Sequence, residues 1–85
     1  MKVDWLITFR SSTAAQKGER SLKRAEILCI LQRTPKQLSE RGCGYCLRIR
    51  REDGMGAVEL LREQRVSYGK VYSMEQGNAP RALEI

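Results

Sequence analysis

Histidine is absent from this chain of 85 residues. No imidazole can therefore serve as general base or metal ligand, the two roles histidine most often fills. Long apolar runs are absent too, and nothing approaches the roughly 18 residues of a membrane span. The opening Met1-Lys2-Val3-Asp4-Trp5 lacks the long apolar segment and small-residue cleavage site of a signal peptide. A cytoplasmic protein without a membrane partner is expected. Internal repeats and low-complexity segments are missing as well. Cysteine is scarce: three residues are an odd number and too few for a disulfide scaffold, so the thiols should be free, catalytic or metal-bound.

What remains fits one small soluble domain. Hydrophobic residues make up 41% and charged residues 31% of the chain, which argues against wholesale disorder. The net charge of +6 suits an acidic partner or anionic ligand. It is spread along the chain, however, with Arg10, Lys17, Arg20, Lys23 and Arg24 near one segment and Arg62 and Arg65 on another. Solvated helix faces explain that spread better than a nucleic-acid surface does.

Val3 to Phe9 is rich in β-branched and aromatic residues and predicts a strand, with Val3, Trp5, Ile7 and Phe9 on one face. Ser11 and Ser12 can cap a helix reaching about Ala25. Its narrow stripe of Ala14, Ala15, Gly18, Leu22 and Ala25 would let it lie close to a sheet. Ile27 to Leu31 is a continuous apolar run of the length of a central strand. Arg33 to Gly42 is polar, and Pro35 can open a single helical turn through Leu38. Tyr45 to Arg50 alternates, placing Tyr45, Leu47 and Ile49 inward and Cys46, Arg48 and Arg50 opposite. Asp53 can cap a second helix with Ala57, Val58, Leu60 and Leu61 as its apolar stripe. Val66 to Met74, interrupted by Gly69, predicts a last strand.

The order is β-α-β-β-α-β, an α+β ferredoxin-like arrangement of a four-stranded antiparallel sheet with two helices on one face. It assigns 1–74 to a single domain and leaves 75–85 as a loose C-terminal tail. The open face is expected to show Leu6, Leu31 or Cys29, Cys46 and Arg48, and to suit a protein partner or a second copy.

The chemistry should lie with sulfur, at Cys43-Gly44-Tyr45-Cys46. Arg33, Lys36, Arg41, Arg48, Arg50 and Arg51 surround these residues in sequence, against one nearby acid, Glu40. A thiol in a positive field ionises more readily, and the thiolate is the form that attacks or carries sulfur. Gly42 and Gly44 leave the Cys43 sulfur accessible, and backbone N–H groups in such a turn can form an anion-binding nest. An unperturbed thiol, with a pKa of about 8.5, is only a few per cent thiolate at neutral pH. A modest downward shift would therefore matter. The plain alternative is that Cys43 simply fills a tight turn.

Cys46 could act as a resolving thiol for Cys43, although its place inside a strand would require a tight turn at Gly44-Tyr45. Zinc would need four ligands, and only Cys29 is left to join the pair. No metal site and no cofactor are expected, and Cys29 suits a small core residue in its apolar run. Tyr45, Tyr68 and Tyr72 could stack on bases, but no short motif of the RNA-recognition type is present. RNA binding is thus an alternative and nucleic acid an unfavoured partner.

The run Thr34-Pro35-Lys36-Gln37-Leu38-Ser39, leading into Cys43-Gly44 and Leu47-Arg48-Ile49, resembles the small selenium/sulfur-carrier-like family of bacterial single-domain proteins. The opening Leu6-Ile7-Thr8-Phe9 with its serine-capped helix, and the closing Leu60-Leu61 through Val71-Tyr72, are similar too. The resemblance maps the position of interest onto Cys43, with Gly44 beside it. Cys46 departs from the family pattern, which has a small or apolar residue there. The Cys-Pro-x-Pro motif of the TusA-like sulfur carriers is absent. The resemblance implies a carrier holding sulfur or selenium as a persulfide-type adduct on Cys43, with Arg41 and Arg48 stabilising its charge. Donor and acceptor proteins would be its partners, a homodimer is a further option, and the role is carriage more than autonomous catalysis. The alternative is a non-enzymatic interaction or RNA-binding module using the open sheet face.

Overall fold

In the computed structural model, residues 3–35, 38, 44–75 and 79–83 are described. The chain runs β1 (Val3–Phe9), α1 (Ser12–Arg24), β2 (Cys29–Arg33), β3 (Tyr45–Arg50), α2 (Arg51–Glu63), β4 (Val71–Glu75) and β5 (Arg81–Leu83). The strands form one antiparallel sheet in the order β2-β3-β1-β4-β5.

Five strands replace the four expected. Residues 81–83, expected in a loose tail, pair with β4, with Leu83 opposite Val71 and Arg81 opposite Ser73. Leu83 also packs against the hydrophobic core, which gives the short strand its reason to dock. Ile85 lies outside the described residues.

Hydrophobic alternation fixes which face is inside. Ile7, Phe9, Leu47, Ile49 and Val71 from the sheet join Ala15 and Leu22 of α1 and Ala57, Val58 and Leu61 of α2 in one buried cluster. Both helices therefore cover the same face. Of the small-residue stripe expected in α1, Ala15, Gly18 and Leu22 are buried, whereas Ala25 is the exposed C-cap. A β-carbon on Gly18 would come within 3.0 Å of the Phe9 ring, so the glycine allows helix and sheet to approach closely. In α2, Gly54 does the same more severely, because a β-carbon there would overlap the Trp5 indole.

The helix ends follow from local chemistry. Ser11 caps α1 by accepting a hydrogen bond from the Ala14 N–H at 3.1 Å. Helix α2 has no such cap: it starts at Arg51, directly from β3, ahead of the expected start at Asp53. The Asp53 carboxylate instead pairs with Arg50 at 3.2 Å, and Glu52 and Asp53 complement the helix dipole in its first turn. Both helices close with the same pair of bonds. Ile27 N–H donates to Leu22 C=O and Glu26 N–H to Lys23 C=O, while Val66 N–H donates to Leu61 C=O and Arg65 N–H to Arg62 C=O. These are Schellman motifs, which satisfy carbonyls that the helix leaves free.

Two expectations about strands are corrected. The Ile27–Leu31 run was expected to be central, yet β2 is an edge strand. A run without alternation carries no signal of which face, or which neighbour, it meets. Register places Cys29 opposite Ile49 and Leu31 opposite Leu47, on the helix face, so neither lies on the open face. The last strand begins at Val71, because Gly69 and Lys70 are spent on a different contact. Gly69 N–H donates to the Thr8 carbonyl at 2.7 Å, and Lys70 N–H to the Thr8 hydroxyl at 2.8 Å. Of the helical turn expected from Pro35 through Leu38, the Leu38 N–H donates to the Pro35 carbonyl at 2.9 Å, and residues 36 and 37 lie outside the described residues.

Candidate functional site

The site region is where the chain enters β3. Gly44 has φ of +142°, a conformation that residues with side chains rarely adopt, so glycine is required to aim the chain into the strand. Its carbonyl accepts the Thr34 N–H at 3.1 Å, which closes the base of the polar connection between β2 and β3. A β-carbon at Gly44 would also sit 3.4 Å from the Thr34 hydroxyl oxygen. That hydroxyl is buried and makes no hydrogen bond among the described residues. Composition gives no sign of Thr34's part here, since it depends on the β2–β3 register. Cys43 and Arg41 lie outside the described residues.

Cys46 points to the sheet face away from the helices, as the alternation of β3 predicts. Solvent does not reach it there: its exposure is 0%, between Thr8 and Gln32 in register. The thiol lies 3.9 Å from the Arg33 carbonyl, a weak S–H donor contact. Burial pushes the Cys46 thiol pKa up, with the Gln32 and Thr34 side chains and the Arg48 charge pulling the other way. The Thr34 hydroxyl thus favours the thiolate from close by without completing a hydrogen bond to it. An inaccessible thiol held in its protonated form suits packing better than attack on a disulfide.

Leu6, expected to show on the same face, is only 1% exposed. It sits between Arg48 and Tyr72 in register. Arg48 reaches along β1 to Asp4, its Nε and Nη2 donating to Oδ2 at 2.8 and 2.7 Å. The arginine stem and the tyrosine ring can then shield the leucine between them. Half-exposed as it is, this pair contributes at most about 1 kcal/mol. It does mean that part of the Arg48 charge is already answered.

Cys29 is half-buried on the helix face. Burial, and then the Glu19 carboxylate, push its thiol pKa up against the opposing pull of Lys23. Tyr45 and Tyr68 pack against the core, and the Tyr68 hydroxyl accepts from Arg62 Nε at 3.0 Å. Only Tyr72 of the three tyrosines belongs to the open face by register.

The geometry defines a small α+β domain with a glycine-marked entry to its third strand, one buried thiol and one half-buried thiol. The chain belongs to the family described as putative Se/S carrier protein-like, whose model matches residues 4–73. No protein among the curated sequences matches it. Among the described residues, no helix is long and apolar enough to cross a membrane.

Proposed function

We propose that the protein carries sulfur or selenium as a persulfide-type adduct on Cys43 and passes it to an acceptor protein. Membership of the carrier-like family over residues 4–73 is the observation that carries this reading. The two described thiols support it by elimination. Cys46 is sealed in the sheet and Cys29 half-buried, and burial holds both in the protonated form. That leaves Cys43, which precedes the Gly44 junction in the sequence.

In the loading step the Cys43 thiolate attacks the outer sulfur of a donor persulfide, such as that of a desulfurase. A new S–S bond forms on Cys43, the donor S–S bond breaks, and the donor thiolate leaves with the electron pair. Delivery repeats the exchange, with an acceptor thiolate attacking and Cys43 leaving. Neither step needs an external oxidant or reductant. Arg41, close to Cys43 in sequence, is the arginine assigned to the adduct's charge, whereas Arg48 lies further along β3, turned toward Asp4, and contributes little. Cys46 keeps a packing role.

The test is loading with a persulfide donor, read as a mass increase of one sulfur atom and located by peptide mass spectrometry. Cys43→Ser should abolish the adduct, and Cys46→Ala should retain it. Loading that survives Cys43→Ser would sink the proposal.

A further inference from the structure

The two edges of this sheet are built differently. Strand β5 is three residues long, follows Pro80 and opens with Arg81, features that discourage pairing with another chain. Strand β2 is five residues long, and Ile27 to Gln32 contains neither a charge nor a proline. The Thr34 N–H to Gly44 carbonyl bond sets the ladder phase. By antiparallel alternation, Gln32 and Ile30 exchange bonds with Cys46 and Arg48. The N–H and C=O groups of Cys29 and Leu31, and the N–H of Arg33, then face outward. Leu28 is 69% exposed and Ile30 61%, side by side at this edge. An uncharged apolar segment with free ladder groups is a template for another strand.

We infer that β2 pairs antiparallel with β2 of a second copy of this chain, Leu28 of each copy packing against Ile30 of the other. Charge selects this occupant and its direction. Glu26 is exposed just before the strand and Arg33 is exposed at its far end, and neither has an ion-pair partner among the described residues. Pairing about Cys29 sets Arg33 of one copy opposite Ala25 of the other, the residue next to Glu26 at the end of α1, twice over. A parallel partner would set like charge against like. The two sheets become one, and the apolar surface expected to recruit a second copy lies at this edge, where the open face has buried its Leu6 and Cys46. The dimer is independent of the carrier chemistry at Cys43.

Sedimentation equilibrium over a concentration series tests it. The wild-type chain should dimerise, and Ile30→Lys should weaken association by at least about a hundredfold, because two buried isoleucines are lost at once. Arg33→Glu should weaken the dimer, and adding Glu26→Arg should restore it. Leu28→Lys repeats the first test outside the strand if Ile30→Lys disturbs folding by circular dichroism. A chain that stays monomeric throughout, or a dimer indifferent to these substitutions, overturns the assignment.

Discussion

Glu26 and Arg65 occupy equivalent positions in the two halves of the chain. Each is the residue after a helix C-cap, each takes a left-handed conformation (φ of 61° and 56°), and each donates the inner bond of a Schellman motif. Glycine is the usual residue at such a site, because a β-carbon makes the conformation costly.

Replacing Arg65 with glycine should therefore stabilise the fold by about 0.5–1 kcal/mol, the relief of strain exceeding the added chain entropy of glycine. Glu26→Gly should act in the same direction. Urea unfolding would show a higher midpoint at unchanged slope. A lower midpoint for Arg65→Gly would mean that the side chain's own contacts outweigh the strain.

The two glycines of α2 should respond oppositely to alanine. Gly54→Ala drives a methyl group into the Trp5 indole and should cost about 1–3 kcal/mol. Gly56 has nothing within 4 Å of its missing β-carbon, so Gly56→Ala should add about 0.5–1 kcal/mol through helix propensity. Thermal unfolding of the two variants beside the wild type checks both signs.

Stability should fall in alkali through Cys46. Its thiol pKa is raised in the folded state by burial, so the native state holds that proton more tightly than the unfolded chain does. The resulting stability is complete below the unfolded thiol value of about 8.5 and is lost as pH rises through the folded value. Cys46→Ala should remove this part of the pH dependence, whatever it does to stability at neutral pH. Identical slopes for wild type and variant between about pH 8 and 10 would rule the thiol out as their source.

Thr8→Val should cost about 1–2 kcal/mol. The Thr8 hydroxyl accepts the Lys70 N–H at 2.8 Å and donates to the Lys70 carbonyl at 3.2 Å, and valine can do neither. Hydrogen exchange at Lys70 should accelerate more than exchange in β2, which shares no bond with Thr8. Uniform acceleration across the sheet would point to a global effect only.

Much of this arrangement is legible in the residues. Strand β1 announces its faces because Trp5, Ile7 and Phe9 keep a strict two-residue period, and Ser11 marks where α1 begins. Gly18 is legible as a close approach because it falls within a stripe of small residues. Strand β2 is not, since Ile27 to Leu31 is apolar at every position and no period tells its faces apart. Strand β5 escapes notice because Arg81-Ala82-Leu83 is too short to carry a pattern and becomes a strand only when β4 lies beside it. At the site, sequence places Cys46 on the correct face. It cannot show that Thr8 and Gln32 close around the thiol, nor that Arg48 has turned toward Asp4, because both depend on which strands become neighbours.

The position of β1 also governs the order of events during synthesis. It is made first, yet it occupies the middle of the sheet, with Leu6 waiting for both Arg48 and Tyr72. At ribosomal rates of roughly 5–20 residues per second, the strand stays unpaired on at least one side for several seconds. Sheet closure thus comes late, when β4 arrives. A nascent chain halted before that strand would present Leu6 and Ile7 to chaperones.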